Sequence, residues 1–118
     1  MTDLRKYAEG KPCLIRLPSI CNNNPETTVL CHERVIGLSG TGIKAPDFFA
    51  AWGCSACHDA VDGRTHHELS YDQRRLALSD GVRATQLCLL EAGIIVIIGE
   101  REPRRPKKLT KILARRNV

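Results

Sequence analysis

Apolar positions along the chain come in short runs whose period changes several times, and Gly, Pro and Asn separate the runs. Residues 2–9 predict a short helical turn ended by Gly10. Pro12 to Leu17 alternates well enough to predict a strand, which Pro18 stops. Asn22-Asn23-Asn24-Pro25 predicts a loop, and Thr27 to Val35, rich in β-branched residues, a second strand with His32 near its end. Three glycines and a proline between Gly37 and Pro46 predict another loop. A short helix is expected over 54–62, closed by Gly63 at the position after its cap. Ser70 with Gln73 forms a capping box that starts a long helix, and Gly93 ends it. Tyr71, Leu78, Val82, Thr85 and Leu89 share one face at helical spacing, so that face is expected on the core. Ile94 to Ile98 then reads as a buried strand, and a basic tail begins at Gly99.

With 118 residues the chain suits one domain rather than two. Its aromatics are Trp52, Tyr7, Tyr71, Phe48 and Phe49 alone. A core so short of large side chains is marginal, and small domains commonly compensate with disulfides or a metal. Six cysteines therefore need a role. The first residues are polar, with no signal-peptide pattern, and the longest apolar run, Ile94 to Ile98, is far too short to span a membrane. A reducing, cytoplasmic setting is expected, where cysteine pairs hold metal more often than they form disulfides. Charge is uneven. Residues 99–118 hold eight basic and two acidic groups, net +6, while the other 98 residues hold 10 basic and 11 acidic groups, net −1. A near-neutral body with a cationic tail suits a polyanionic partner.

The strongest local motif is Cys54-Ser55-Ala56-Cys57-His58. Two cysteines three apart at a helix start can turn toward one ion, and a tetrahedral zinc needs two more ligands. Cys13 and Cys21, flanking a Pro-containing turn, are the natural second pair. The alternatives are a redox pair or small buried side chains; no thioredoxin-like βαβ pattern surrounds the motif. Cys88 reads as an inert thiol in the long helix, while Cys31 directly precedes His32. His58 and Asp62, four apart, share one face of the short helix and make a reasonable half-site for a divalent cation. An exposed helix that merely carries an Asp near its end explains them equally well.

The order Cys13, Cys21, His32 and then Cys54-x-x-Cys57-His58 resembles the zinc-bearing branch of the HNH endonucleases, whose core is a β-hairpin and a helix gripping one metal. More closely, Pro25-Glu26-Thr27-Thr28-Val29-Leu30 through His32, Gly40-Thr41-Gly42-Ile43-Lys44-Ala45-Pro46-Asp47, and Ala56-Cys57-His58-Asp59 followed by Arg64-Thr65-His66 resemble the YbcO-type nuclease family of phages and prophages. The match covers roughly residues 1–98; the tail lies outside it.

The resemblance implies an α+β fold: a small zinc-stapled ββα-metal (HNH-like) core over 1–98, an added long C-terminal helix, and a basic tail over 99–118. It implies His32 as the general base and Asp47 near the residue that orients the loop carrying that base. It implies His58, with Asp62, as the seat of a catalytic Mg²⁺, Mn²⁺, Ni²⁺ or Zn²⁺, and His66 is the candidate for a replacement ligand or for a contact with the scissile phosphate. Cys13, Cys21, Cys54 and Cys57 would hold a separate structural Zn²⁺. Many HNH enzymes carry an Asp or His ligand just before the base, and here Cys31 stands there, a poor partner for magnesium.

The expected function is metal-dependent hydrolysis of phosphodiester bonds in DNA, including branched or recombination intermediates, during phage or prophage DNA processing. Arg34, Lys44, Arg64, Arg104, Arg105, Lys107 and Lys108 are the candidate phosphate contacts, with a solvated surface charge as the favoured alternative for Arg34, Lys44 and Arg64. No membrane partner is expected, and homo-oligomerisation is left open. The competing function is a non-catalytic zinc module that binds nucleic acid or protein, which would have no use for His32 and His58 together.

Overall fold

A computed structural model describes residues 3–34, 37, 44–65 and 68–99. Helix α1 spans Leu4–Ala8, starting where the Asp3 carboxylate accepts the Arg5 N–H at 2.9 Å. Gly10, at φ 78°, turns the chain out of it, as the sequence predicts.

The strand expected over Pro12–Leu17 does not form. Arg16 lies at φ 51° and Ser19 at φ 63°, left-handed conformations that no strand tolerates. The reason is geometric. An extended run would carry Leu17 about 13 Å from Cys13, whereas this segment must curl so that Cys13 and Cys21 reach a common point. One bond still ties it to the sheet, from Leu14 N–H to the Trp52 carbonyl at 2.7 Å.

The second expected strand is shorter than Thr27–Val35. Pro25–Thr27 forms a 3₁₀ turn capped by Asn24, and strand β1 occupies Val29–His32. Its partner is β2, Ala50–Gly53, antiparallel, with Val29 opposite Gly53 and His32 opposite Ala50. The pattern of the chain does not predict β2, since Ala50, Ala51 and Gly53 have little β propensity and Trp52 alone makes no alternating run. It is buried along its whole length. The two faces of this hairpin feed two cores. Cys31 and Ala51 pack with Cys13, Ile15, Cys57 and Val82, while Leu30 and Trp52 pack with Ala8, Leu14, Ala84 and Leu89.

Helix α2, Ser55–Val61, starts at Cys54 and is closed by Gly63 at φ 76°, matching the expected 54–62 helix. Helix α3, Tyr71–Glu91, has the expected capping box between Ser70 and Gln73, and Gly93 ends it at φ 74°. It lies close on β2 because Gly81 has no side chain: a Cβ there would sit 3.1 Å from that of Ala51 and 3.2 Å from the Leu14 carbonyl. The buried Thr85 hydroxyl accepts the Trp52 N–H at 3.0 Å and fixes the helix against the strand.

Leu78, Val82, Thr85 and Leu89 are buried as expected, but Tyr71 is 63% exposed. The first two turns of α3 run out past the core, and Tyr71 instead meets the Arg74 guanidinium. Ile94 to Ile98 is not a buried strand either. After Gly93 the N–H groups of Ile94 and Ile95 both return to the Leu89 carbonyl, and the outward side of Trp52 is already bonded to Leu14. Ile94 and Ile95 are half-buried, whereas Val96 and Ile98 are 75% and 95% exposed. Among the described residues no helix is long and apolar enough to cross a membrane.

Gly53 is a sharper steric limit than Gly81. A Cβ there would meet Cys31 Sγ and Ile15 Cδ1, each at 2.6 Å. Gly53→Ala is expected to lose about 1–3 kcal/mol through overpacking, read as a lower urea midpoint with unchanged slope. An unchanged midpoint would mean that Cys31 and Ile15 yield freely at this junction.

Candidate metal centre and nuclease site

Four sulfurs meet where the curled 13–21 segment faces the start of α2. Cys13, Cys21, Cys54 and Cys57 each offer Sγ, and all four atoms lie within 4.8 Å of one another. Cys13, Cys54 and Cys57 are buried and Cys21 half-buried. A tetrahedral thiolate site with Zn–S about 2.3 Å places neighbouring sulfurs about 3.8 Å apart. Cys21 and Cys54 sulfurs stand 3.8 Å apart, so spacing and donor chemistry both suit zinc. The four cysteines are free of disulfides and can hold a metal ion such as zinc.

Backbone amides prepare the sulfurs. Arg16 N–H points to Cys13 Sγ at 3.5 Å, and Cys57 N–H to Cys54 Sγ at 3.4 Å. The left-handed turn at Arg16 makes the first of these contacts possible. The Cys57 thiol, aided by backbone amides, holds Cys13 down to about 5, while sharing that proton and being buried push Cys57 well up. Burial raises Cys21 to about 11. At neutral pH the Cys21 and Cys57 thiols therefore keep their protons, and zinc loading must expel them. Proton release into weak buffer during a zinc titration checks this, with at least two protons per ion expected from these two groups.

A polar brace that local sequence patterns do not reveal holds the Cys21 loop on α2. Asn22 Nδ2 donates to Thr27 Oγ1 at 3.2 Å and to Ser55 Oγ at 3.1 Å, and Thr27 Oγ1 accepts the Ser55 N–H at 3.2 Å. Its members are far apart in the chain, and Asn, Thr and Ser in a loop ordinarily signal turns.

The two histidines in described positions each pair with a carboxylate. His32 Nε2 is 2.8 Å from Asp47 Oδ1, joining the end of β1 to the 3₁₀ turn Asp47–Phe49. Arg5 of α1, not picked out from the sequence, stands 3.7 Å from that same oxygen. His58 Nε2 is 3.2 Å from Asp62 Oδ2, one helical turn along α2. Asp62 also contacts Arg64 at 2.6 Å and Arg34 at 3.8 Å, and Arg64 reaches Asp59 at 2.9 Å. The Arg34 contact ties the chain just after β1 to the end of α2, so both pairs lie at the same end of the hairpin.

Cys31 takes no part in either pair. It is 1% exposed, packs beneath Gly53, and its thiol is pushed far up by burial and then by the negative charge of Cys13 and Asp62. Strand alternation sets it on the face toward α2 and His32 on the face of Leu30 and Trp52. Among the described residues, His32, His58 and Asp62 do not gather into one group of ligand atoms as the four cysteines do. Lys44 is exposed, Cys88 is buried as expected, and His66 and the tail residues Arg104, Arg105, Lys107 and Lys108 lie outside the described residues.

Comparison with known proteins fits this architecture. The profile of the family described as "Putative nuclease YbcO" matches residues 2–94. The chain belongs to that family. It is 50% identical over 95 residues to "Putative nuclease YbcO" of Escherichia coli (strain K12), covering 80% of this chain and 98% of the relative. The same figures hold for "Putative nuclease ybcO" of Enterobacteria phage 82. A solved structure titled "Structure of a putative bacteriophage protein from Escherichia coli str. K-12 substr. MG1655" superposes with TM-score 0.66 at 40% identity, covering 77% of this chain and all of that one.

Proposed function

We propose that the chain is an HNH-type, metal-dependent endonuclease that hydrolyses phosphodiester bonds in DNA during phage or prophage recombination or DNA processing. One arrangement supports this above all: His32–Asp47 and His58–Asp62 flank the same end of the β1–β2 hairpin, linked by the Arg34–Asp62 contact. Hairpin and α2 together make a ββα unit, stapled by Zn²⁺ at the four cysteines and extended by α3.

An imidazole and a carboxylate 3.2 Å apart suit one shared divalent cation. Bound there, the ion supplies electrostatic stabilisation of the charge that builds on the phosphoryl oxygens. The rest of the chemistry falls to side chains. Asp47, as a carboxylate, only accepts hydrogen bonds, so the His32 proton sits on Nε2 and the Nδ1 lone pair is left to take a proton from water. His32 is 14% exposed, so it is held in one orientation while one edge still meets solvent. Arg34, Lys44 and Arg64 lie on the exposed surface, where they can position neighbouring phosphates.

Zinc-loaded protein should nick supercoiled plasmid when Mg²⁺, Mn²⁺ or Ni²⁺ is added and should leave it intact when no such ion is added. Tight zinc and DNA binding without cleavage in any of these ions would assign the chain to non-catalytic binding modules instead. The family match ends at residue 94, so the tail from 99 is an addition to the shared body. Truncation after Gly99 should flatten the dependence of log affinity on log salt by about 0.9 for each tail cation that meets a phosphate. An unchanged slope would direct the tail to a protein partner.

A further inference from the structure

Three side chains converge on Asp62, and two of them need the same oxygen. His58 Nε2 is 3.2 Å from Oδ2 and Arg64 NH2 is 2.6 Å from Oδ2, while Arg34 approaches Oδ1 at 3.8 Å. Asp62 is only 11% exposed, so its carboxylate is poorly hydrated and depends on these partners. Arg64 is different: 55% of its side chain is exposed, and its other arm rests on Asp59.

We propose that Arg64 occupies the cation seat at Asp62 in the zinc-loaded protein and is displaced when a divalent ion binds to His58 and Asp62, which frees its guanidinium for a phosphodiester oxygen. This rests on the proposed ion at His58 and Asp62 and adds a residue that controls it. An ion shared by His58 and Asp62 must use the oxygen Arg64 now holds, and a guanidinium and a dication on one oxygen repel. Arg64 N–H is bonded to the Asp59 carbonyl at 2.9 Å, so its backbone is fixed and the exchange is a side-chain rotation. Asp59 Oδ1, 2.9 Å from NH1, retains one edge of the guanidinium while the other turns outward. A planar guanidinium suits a phosphate there.

The test is Mn²⁺ binding to full-length, zinc-loaded protein, followed by the electron paramagnetic resonance signal of free Mn²⁺ at low ionic strength. Arg64→Ala should bind Mn²⁺ about tenfold more tightly than wild type, the scale of one lost competing charge-assisted hydrogen bond. Its cleavage should nevertheless be slower at saturating Mn²⁺. Arg64→Gln, close in length but uncharged, should also bind more tightly, which guards against a folding defect in the alanine variant. Asp62→Asn should lose most of the binding. If wild type binds Mn²⁺ through Asp62 while both Arg64 variants bind equally or more weakly, the displacement is wrong and the ion seat stands. If wild type binds none, or Asp62→Asn binds as well as wild type, the seat and the displacement fall together.

Discussion

Removing zinc, or replacing Cys57 by Ser, is expected to unfold the chain. Cys13, Cys54 and Cys57 are part of the main core rather than an appendage to it, beside Ile15, Leu17, Ala51, Ala60, Leu78 and Val82. Around them stand few large side chains, and on this face β2 meets α3 through Ala51 and Gly81, which bury little apolar surface. A four-thiolate zinc site contributes on the order of 10–16 kcal/mol of apparent binding free energy, as much as the whole net stability of a typical domain. The curled 13–21 segment has no ladder of its own to hold it, with Arg16 and Ser19 in left-handed conformations. Losing the ion should therefore release this segment, uncover α2 and dissolve the cooperative melt. Circular dichroism and thermal melting with and without a strong chelator give the answer. A normal melt for metal-free protein, or for Cys57→Ser, would show that the apolar core suffices.

His32→Ala should lower the cleavage rate about 10²- to 10⁴-fold, the usual worth of a positioned general base, and leave zinc content unchanged. The separation is expected because His32 and the sulfur cluster are on different faces of the sheet. Its stability cost should stay near that of one hydrogen bond, about 0.5–1.5 kcal/mol, since the Asp47 side chain is 38% exposed and can rehydrate. Cleavage at the wild-type rate by a folded His32→Ala protein would remove His32 from the mechanism.

The boundaries of α2 and α3 were legible because they are written locally. Ser70 and Gln73 cap each other, and Gly63 and Gly93 take the left-handed positions that end helices. The Cys54–Cys57 spacing is equally local, and Cys13 and Cys21 followed as its complement. What escaped depends on distant contacts. Ala51 of β2 is small because α3 presses on it through Gly81, a packing demand that propensity does not register. Pro12–Leu17 alternates like a strand, yet bringing two sulfurs together outweighs that pattern. Ile94–Ile98 is apolar but has no neighbouring strand to join among the described residues, so hydrophobicity there did not mean burial. His32 and Asp47 are fifteen residues apart, and nothing local links them; only the resemblance pointed to the pair. Arg5 and the Asn22–Thr27–Ser55 brace had no such pointer.

Two ions at α2, one for rigidity and one for reaction, are the core of the proposed enzyme. Anomalous diffraction from crystals soaked in Mn²⁺, recorded at the zinc and manganese edges, tests them together. The expected maps hold a zinc peak among the sulfurs of Cys13, Cys21, Cys54 and Cys57 and a manganese peak beside His58 and Asp62. Manganese absent from that second position, with His58 and Asp62 still paired only to protein, would contradict the account.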